Sequence, residues 1–233
     1  MSDLHNASVP RHLGIILDGN RRWAKAHGVP LLDGHRQGYL TLRTITKAAF
    51  ERGVKYVSAY VFSTENWNRT PREVKYLMNL TLDVLSSEID GLHEEGIKVV
   101  WVGTNERLSS KLQAAIEAAV ERTKNNRRGT LAVCFNYGGH QEIVDATKQL
   151  IGQGIRADQV TENTLEQALY APELPPVDLL IRTSGEKRLS GFMLWRSAYA
   201  ELYFTDKLWP DFSEADLDVA LQDYAARQRR FGS

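Results

Sequence analysis

Short runs of Val, Ile and Leu alternate along this chain with longer stretches in which apolar residues recur every three or four positions. The short runs have the length of buried strands, and the longer stretches have the period of amphipathic helices. Because this alternation is typical of a mostly parallel sheet covered by helices, it predicts an α/β fold. The predicted strands cover residues 13–17, 54–62, 97–102, 131–136, 177–183 and 201–205.

Three helices are predicted from capping signals and apolar period. Thr70 and Glu73 have the spacing of a capping box, and the apolar stripe that follows them ends at Gly96. Two further helices are predicted, one over 39–49 that is ended by Gly53 and one over 108–119. Their apolar stripes are expected to face the sheet.

A chain of 233 residues can bury a complete core without disulfides or structural metal ions. It contains no internal repeat, no low-complexity segment and no linker that would separate two domains. We therefore predict a single domain over residues 1–233, with a flexible N-terminal segment over residues 1–10.

Charge and cysteine content restrict the classes of partner and compartment. Lys plus Arg and Asp plus Glu both number 29, so no overall field draws the chain to nucleic acid, and any anion must be bound by a local cluster. The single cysteine, Cys134, lies in an apolar run and is interpreted as a core thiol in a reducing compartment. With no apolar run of membrane-span length, a cytoplasmic location is predicted, and peripheral membrane contact stays open.

Ligands of open α/β sheets bind at the carboxyl ends of the strands, and three of the predicted strand ends carry polar loops. The first loop holds a carboxylate, a glycine and two arginines, which suit an anion beside a helix start: Asp18, Gly19, Asn20, Arg21, Arg22 and Trp23. A capped turn with solvated arginines explains the same residues equally well. No Walker A sequence or GxGxxG motif accompanies this loop.

The second and third loops extend the same pattern. The second loop, over residues 62–69, is polar and aromatic. An ordinary loop, with Trp67 packed on the core, explains these residues equally well. The third offers guanidinium and hydroxyl donors that match phosphate oxygens: Arg182, Thr183, Ser184, Arg188 and Ser190. A solvated basic loop is the alternative for this third segment. Together the three loops predict a phosphate site.

A metal site is predicted alongside the phosphate site. Mg²⁺ prefers few carboxylates together with phosphate oxygens and water, so Asp18, Glu201 and a diphosphate form a plausible ligand set. His35 adds a possible hydrogen bond to phosphate, although from sequence alone it is more simply a surface histidine at a helix start. The histidines show no zinc-ligand spacing.

Five blocks of sequence resemble the cis-prenyltransferases, in particular the bacterial undecaprenyl diphosphate synthases. In chain order they are DGNRRWAK at 18–25 with GH at 34–35, FSTENWNR at 62–69, NYGG at 136–139, DLLIRTSGE at 178–186, and Trp195 with AYAELYF at 198–204. The resemblance runs in order from about residue 10 to residue 232. The DDxxD motif of the trans-prenyltransferases is absent from the chain.

The resemblance implies an activity, a cofactor and an assembly. The activity is condensation of isopentenyl diphosphate onto an allylic diphosphate such as farnesyl or geranyl diphosphate, each new double bond being cis. The resemblance also implies a Mg²⁺-dependent homodimer, a hydrophobic tunnel for the growing chain and a product that serves as a lipid carrier for cell-wall synthesis. Residues 230–232 resemble a family tail that reaches across the dimer.

The resemblance also implies a role for each matching residue. Asp18 and Glu201 are the metal ligands, Asp18 and Asn66 are catalytic, and Trp23 and Trp67 flank the substrates. The allylic diphosphate is bound by Gly19, Asn20, Arg21, Arg22 and His35. The mobile loop beside the site contributes Ser63, Thr64, Glu65 and Arg69, and the isopentenyl diphosphate is bound by Arg182, Arg188, Leu189 and Ser190. Since a neutral amide is a poor base, Asn66 is expected to orient substrate while a carboxylate or diphosphate oxygen takes the proton.

The chain departs from the family pattern at positions that bear on the product. Leu31 stands where many members have an arginine for the allylic diphosphate, and Arg21 is expected to compensate for it. Val61 stands where long-chain members often have alanine, which predicts a narrower tunnel, although a β-branched residue is ordinary in a strand. Gly191 and Arg196 also differ from the commoner residues, as in members that make shorter products.

Three alternatives stay open from sequence. A short- or medium-chain synthase, such as a (Z,E)-farnesyl diphosphate synthase, is the alternative within the family. A non-catalytic isoprenoid-binding subunit is the alternative of another class, and the presence of Asp18 and Glu201 argues against it. A general sugar- or nucleotide-phosphate enzyme is disfavoured by the aromatic and apolar residues that accompany the phosphate loops.

Overall fold

The computed structural model describes residues 9–227. Within them the chain forms one sheet of six parallel strands. The strands are β1 (His12–Ile16), β2 (Tyr56–Ser63), β3 (Ile97–Val102), β4 (Gly129–Tyr137), β5 (Leu179–Arg182) and β6 (Glu201–Phe204). Their order across the sheet is β3-β4-β2-β1-β5-β6. The predicted α/β fold with about six strands is confirmed.

Helices follow most of the strands and cover both faces of the sheet. They are α1 (Asn20–Ala26), α2 (Leu31–Glu51), α3 (Pro71–Glu94), α4 (Ser110–Thr123), α5 (Gly139–Gly152), α6 (Glu162–Ala168) and α7 (Glu214–Ala226). Among these described residues, no helix is long and apolar enough to cross a membrane.

The glycines that were predicted to end helices do so in left-handed backbone conformations. Gly53 follows α2 with a φ of 98°, and Gly96 follows α3 with a φ of 70°. Glycine populates this region without steric cost, so both helices stop where the sequence predicts.

The start of α2 lies well before the predicted position 39. The helix begins at Leu31, and two of its early residues are glycines. A Cβ atom at Gly34 would lie 2.2 Å from the backbone oxygen of Asn20, and one at Gly38 would lie 2.3 Å from its side-chain oxygen. These glycines lower helix propensity, which hid the first turns of α2, but they let α1 pack directly against it.

The core has two main parts, one on each face of the sheet. On one face α2 and α7 pack on the central strands around residues such as Ile45, Trp209 and Leu217. On the other face Tyr60, Phe192 and Cys134 pack together. Cys134 is fully buried as a free thiol, and burial raises its pKa, so its interpretation as a core residue is confirmed.

A buried ion pair joins α5 to the segment before β6. A guanidinium nitrogen of Arg196 lies 2.8 Å from a carboxylate oxygen of Glu142, and both side chains are almost fully buried. Tyr137 donates its hydroxyl to the other carboxylate oxygen at 2.6 Å, and Arg196 also donates to the backbone oxygens of Tyr170 and Ala171. The pair therefore satisfies the polar atoms of a dry part of the core.

Replacing Arg196 by alanine should lower the free energy of unfolding by about 3–5 kcal/mol, because Glu142 would keep a buried charge without its partner. Urea unfolding followed by circular dichroism measures the change. Arg122→Ala is the matched control, since its pair with Asp90 is exposed and contributes at most about 1 kcal/mol. Equal effects of the two substitutions would contradict the assignment of Arg196 to a buried pair.

Candidate active site

A cavity of about 1100 Å³ lies at the carboxyl ends of β1, β2 and β5. The loops after all three strands contribute to its wall, so the structure brings the three predicted polar loops together around one cavity. The predicted residues that line it are Asp18, Gly19, Asn20, Arg21, Arg22, His35, Ser63, Glu65, Asn66, Arg69, Arg182 and Ser190. Lys25, Tyr60 and His140 also line it and were not predicted.

Asp18 leaves β1 at the centre of this cavity and is held by cations from two directions. Arg182, at the end of the neighbouring strand β5, donates to one carboxylate oxygen at 2.9 Å. Arg22 lies 3.7 Å from the other oxygen, one helical turn along α1. The Thr183 hydroxyl donates to the backbone oxygen of Asp18 at 2.7 Å. These contacts fix the carboxylate at the junction of the β1 and β5 loops.

Opposing effects set the pKa of Asp18. Burial by itself raises the pKa of the carboxyl, but hydrogen bonds from Arg182 and Ser184 and the charges of Arg182 and Arg22 outweigh it. The pKa therefore lies below the ordinary value for aspartate. Asp18 is ionised at neutral pH and a third of its side chain is exposed to the cavity, so it can bind a cation.

Arg182 organises the loop that follows β5. The side chain is buried, and one guanidinium nitrogen donates to Ser190 Oγ at 2.8 Å and also to the backbone oxygen of Arg188. Its Nε atom is buried and has no hydrogen-bond partner among the described residues. Arg182 thus places Ser190 at the cavity wall.

The turn between β1 and α1 depends on glycine. Gly19 has a φ of 113°, and a Cβ atom there would lie 3.0 Å from the backbone of Leu208. No other residue adopts this conformation without strain. The turn lets α1 begin beside Asp18, with Arg21 and Arg22 in the cavity wall.

His35 is a buried residue near the start of α2 and not the surface histidine that the sequence favoured. It is 8% exposed, and its Nε2 atom lies 3.3 Å from Glu73 Oε1. Burial lowers the pKa of His35, and the charge of Arg69 lowers it further, while Glu73 opposes this shift. His35 is therefore predominantly neutral at pH 7 and can donate or accept a hydrogen bond at the cavity.

Glu73 is buried behind the cavity wall, where it contacts residues that line the cavity, and sequence analysis assigned it only to a helix cap. The Thr70 hydroxyl does accept from the Glu73 backbone N–H at 3.4 Å, as predicted. The Glu73 carboxylate, however, contacts His35 and accepts a hydrogen bond from the Arg69 guanidinium at 3.0 Å. The Arg21 guanidinium lies 4.0 Å from the same carboxylate oxygen. A buried glutamate that neighbours two arginines and a histidine orders the wall of the cavity. The capping-box pattern masked this role.

Both predicted tryptophans lie outside the cavity. Trp23 donates its ring N–H to Asp211 at 2.7 Å and stacks on His27. Trp67 donates to Asn136 at 2.7 Å and packs edge-on against Phe62, in agreement with the core role that the sequence left open.

Four further predicted residues serve the loops around the cavity. Asn66 lines the cavity, and its side-chain oxygen accepts from the Ser63 backbone N–H at 3.2 Å, which closes the 3-10 turn Thr64–Asn68. Thr64 packs against Gly138: a Cβ atom added at Gly138 would lie 2.6 Å from the Thr64 hydroxyl oxygen. Arg188 pairs with Glu186 at the surface, and Leu189 packs on the core.

Glu201 lies at the opposite end of the sheet from Asp18. It opens β6 and is paired in register with Leu179, whereas Arg182, next to Asp18, is paired with Phe204. Its carboxylate accepts from Arg227 at 2.8 Å. Within one chain the structure does not bring the two predicted metal ligands together, because strand register separates them. No group of three or more His, Cys, Asp or Glu side chains in residues 9–227 has the arrangement of a metal site.

An apolar tunnel leads away from the polar cavity between α2, α3 and the sheet. Its narrow interior holds about 140 Å³, and the residues shared with the polar cavity are Leu17, Asn20, His35, Val61 and Leu77. Further in, the wall consists of side chains such as Leu85, Ile89 and Leu131. The arrangement can hold an anion among the arginines while an attached apolar chain enters the tunnel.

Comparison with known proteins places the chain in a family. Residues 16–232 match the family model for undecaprenyl diphosphate synthases. The chain belongs to this family. It is 48% identical over 229 residues to isoprenyl transferase 2 of Corynebacterium efficiens, a match that covers 97% of this chain and 94% of the relative.

Two further relatives bear on the site. A trans,polycis-polyprenyl diphosphate synthase of Thermobifida fusca, specific for (2Z,6E)-farnesyl diphosphate, is 47% identical, with 96% of this chain and 81% of the relative covered. The crystal structure of lavandulyl diphosphate synthase from Lavandula x intermedia, in complex with dimethylallyl diphosphate, superposes with a TM-score of 0.92 at 39% identity and covers 97% of this chain and 99% of that one.

These matches confirm the resemblance to the cis-prenyltransferases and show that the protein is a prenyltransferase. The family pattern extends nearly to the C-terminus, but residues 230–232, which resemble the cross-dimer tail, lie outside the described residues.

Replacing Glu73 by glutamine should lower kcat/KM for the allylic substrate by roughly 10- to 100-fold. A hydrogen bond to a charged group is worth about 1.5–3 kcal/mol, and Arg69 and His35 would lose their anionic partner. Steady-state kinetics at several pH values measures the effect. Glu94→Gln, the same change at an exposed position of α3, should leave kinetics unchanged. A loss of thermal stability with unchanged kcat/KM would show that Glu73 is structural only.

Proposed function

We propose that this protein condenses isopentenyl diphosphate with an allylic diphosphate and so forms a cis-polyprenyl diphosphate. The observation that carries the proposal is that the arginine-lined cavity adjoins an apolar tunnel, with which it shares five wall residues. A diphosphate needs the first environment and a prenyl chain needs the second. A sugar- or nucleotide-phosphate enzyme would have no use for the tunnel.

The chain's own residues provide separate supports for two diphosphates. Arg21, Arg22 and His35 lie on the α1 and α2 side and suit the allylic diphosphate, whose apolar chain would enter the tunnel. Arg182 and Ser190 lie on the β5 side and suit the diphosphate of isopentenyl diphosphate. Guanidinium groups bind phosphate oxygens through two parallel hydrogen bonds, so they also stabilise the charge that grows on a leaving diphosphate.

The residues present fit Mg²⁺ as a cofactor held by one carboxylate. Asp18 is ionised, partly exposed and placed between the two proposed diphosphate positions. Mg²⁺ is commonly bound by one or two carboxylates together with substrate phosphates and water. When bound, it would supply charge stabilisation at the departing diphosphate. Glu201 would join such a site only from a second copy of the chain.

The reaction balances with the groups at hand. The allylic C–O bond breaks, a C–C bond forms to the isopentenyl double bond, and one proton leaves the adjacent carbon. Asn66 is a neutral amide whose oxygen already accepts from Ser63, so its amide donors are left to orient substrate. A carboxylate or a diphosphate oxygen takes the proton.

Product length and setting belong to the same proposal. We favour a long cis-polyprenyl diphosphate such as undecaprenyl diphosphate, used as a lipid carrier in cell-wall synthesis by a cytoplasmic homodimer that contacts the membrane peripherally. The polycis product named for the Thermobifida fusca relative supports a long chain. A short- or medium-chain product is the second candidate, favoured by the position of Val61 at the mouth of the tunnel.

The deciding experiment is incubation with labelled isopentenyl diphosphate and geranyl, (2E,6E)-farnesyl or (2Z,6E)-farnesyl diphosphate, with Mg²⁺ or with EDTA. We expect Mg²⁺-dependent incorporation into products that chromatography can size. Asp18→Asn should lower kcat on the order of 100- to 1000-fold through loss of electrostatic stabilisation, and Asp158→Asn, at an exposed site, should not. Tight binding of the diphosphates without incorporation would identify a non-catalytic subunit instead.

Replacing Val61 by alanine should lengthen the product. The change removes two methyl groups where the cavity meets the tunnel, and the wall there is strand backbone that does not move aside. Chromatography of the dephosphorylated products measures chain length. Val219→Ala, on an exposed face of α7, is the matched control. An unchanged distribution would show that another part of the tunnel limits growth.

A further inference from the structure

A second, strongly basic cavity of about 480 Å³ lies at the amino ends of β2, β3 and β4. We call its cationic residues the basic patch: Arg11, Lys55, Lys98, Lys124, Arg127 and Arg128. The active-site cavity lies at the carboxyl ends of the strands, so the basic patch occupies the opposite end of the sheet. Nothing in the proposed reaction uses it.

The positive charge of the basic patch is only partly balanced. Lys98, Lys124 and Arg128 each lie near one glutamate, and all three pairs are at least partly exposed to solvent. Within residues 9–227, no acidic side chain lies within 4.0 Å of the side-chain nitrogens of Arg11, Lys55 or Arg127. Because the whole chain has a formal net charge of zero, this excess is a local feature and not part of a general basic character.

The basic patch lies at the same end of the molecule as the deep end of the apolar tunnel. Lys98 and Thr130 are paired in register and border the patch, while the next pair along, Val99 and Leu131, lines the tunnel. Successive residues of a strand point to opposite faces of the sheet. At the starts of β3 and β4, the basic patch therefore borders the face opposite to the one that lines the tunnel. A surface bound by the patch would face the end toward which the apolar chain grows.

The exposure of the cations favours an extended anionic surface over one small anion. The side chains of Lys124 and Arg128 are 52% and 41% exposed, and Arg11 is held over the ring of Tyr56 at 5.5 Å. A site for a single phosphorylated metabolite would bury and converge its donors. An anionic membrane surface, in contrast, attracts each exposed Lys or Arg residue near it by about 1 kcal/mol without enclosing it.

We propose that the basic patch binds the surface of an anionic phospholipid bilayer. The contact would orient the deep end of the tunnel toward the membrane that takes up the apolar product. This purpose rests on the proposed function, but the binding itself does not. The interaction is electrostatic, because no large exposed apolar residue of the described chain lies in the patch, and it therefore weakens as salt rises.

The test is sedimentation of the full chain with phosphatidylcholine vesicles, prepared either with 30% phosphatidylglycerol or without it. Each kind of vesicle is tested at low and at high salt, on the order of 0.05 M and 0.5 M. The triple variant Lys55→Gln, Lys124→Gln, Arg127→Gln removes three exposed charges of the patch. Each charge near an anionic surface is worth about fivefold in partitioning, so the variant should bind on the order of 100-fold more weakly. The matched control, Lys75→Gln, Lys111→Gln, Lys148→Gln, loses the same charge from exposed positions elsewhere.

The proposal stands if anionic vesicles bind the wild type and the control at low salt but not the triple variant. Equal binding of all three proteins, or no binding of the wild type, would overturn it. Fluorescence anisotropy with labelled RNA and with short polyphosphate forms the second arm, and patch-dependent binding there without vesicle binding would assign the patch to a soluble polyanion.

Prenyl transfer in detergent solution separates this proposal from the proposed function. The triple variant should incorporate isopentenyl diphosphate at the wild-type rate, because its substitutions lie far from the cavity. Vesicle binding without incorporation by any of the proteins would refute the proposed activity and leave the patch proposal standing.

Discussion

The ion pair between Asp18 and Arg182 joins the ends of adjacent strands, and the site is built around it. The two residues come from distant parts of the chain, and only the parallel pairing of β1 with β5 places them at 2.9 Å. Arg182 then holds the loop that carries Ser190, while Asp18 leads into the glycine turn that starts α1. Because one carboxylate and one guanidinium fix two loops, the positions of both proposed diphosphates depend on the register of two strands. The pair also keeps Asp18 ionised, as the proposed binding of Mg²⁺ would require.

Much of this arrangement could be predicted from sequence, because strand ends and caps are local signals. The alternation of apolar runs predicted the sheet, and the polar segments after β1, β2 and β5 predicted where the cavity would lie. Local patterns could not predict which side chains turn inward. Trp23 and Trp67 match the family motif, yet both rings find hydrogen-bond partners outside the cavity. Glu73 has the spacing of a cap, yet its carboxylate is drawn to His35 and Arg69 because burial makes an unpaired charge costly.

Register is the physical reason that Glu201 could not be placed from sequence. Its motif adjoins the arginine loop in sequence, and sequence proximity favours a shared site. The amino ends of parallel strands, however, lie at the same end of the sheet. The first residue of β6 therefore lies at the end opposite to the last residue of β5. A strand of four residues is enough to carry the carboxylate away from Asp18 and to Arg227.

The two walls of the tunnel differ in how they can respond to a growing chain. Near the cavity, α2 and α3 are linked by the buried contact of His35 with Glu73. Farther along the tunnel, the partly exposed pairs Arg43 to Glu88 and Lys47 to Glu95, just beyond the end of α3, link the two helices, and such pairs contribute little free energy. On the sheet side, the wall is formed by β2 and β4, whose backbones are hydrogen bonded to neighbouring strands on both sides, and by the edge strand β3, which is paired along its whole length with β4. A prenyl chain that needs more room can therefore separate the helices more readily than it can displace the sheet. A bulky side chain on the sheet side keeps the tunnel narrow, because the strand that carries it does not move aside. At Val61, a change of two methyl groups therefore acts directly on the width of the tunnel mouth.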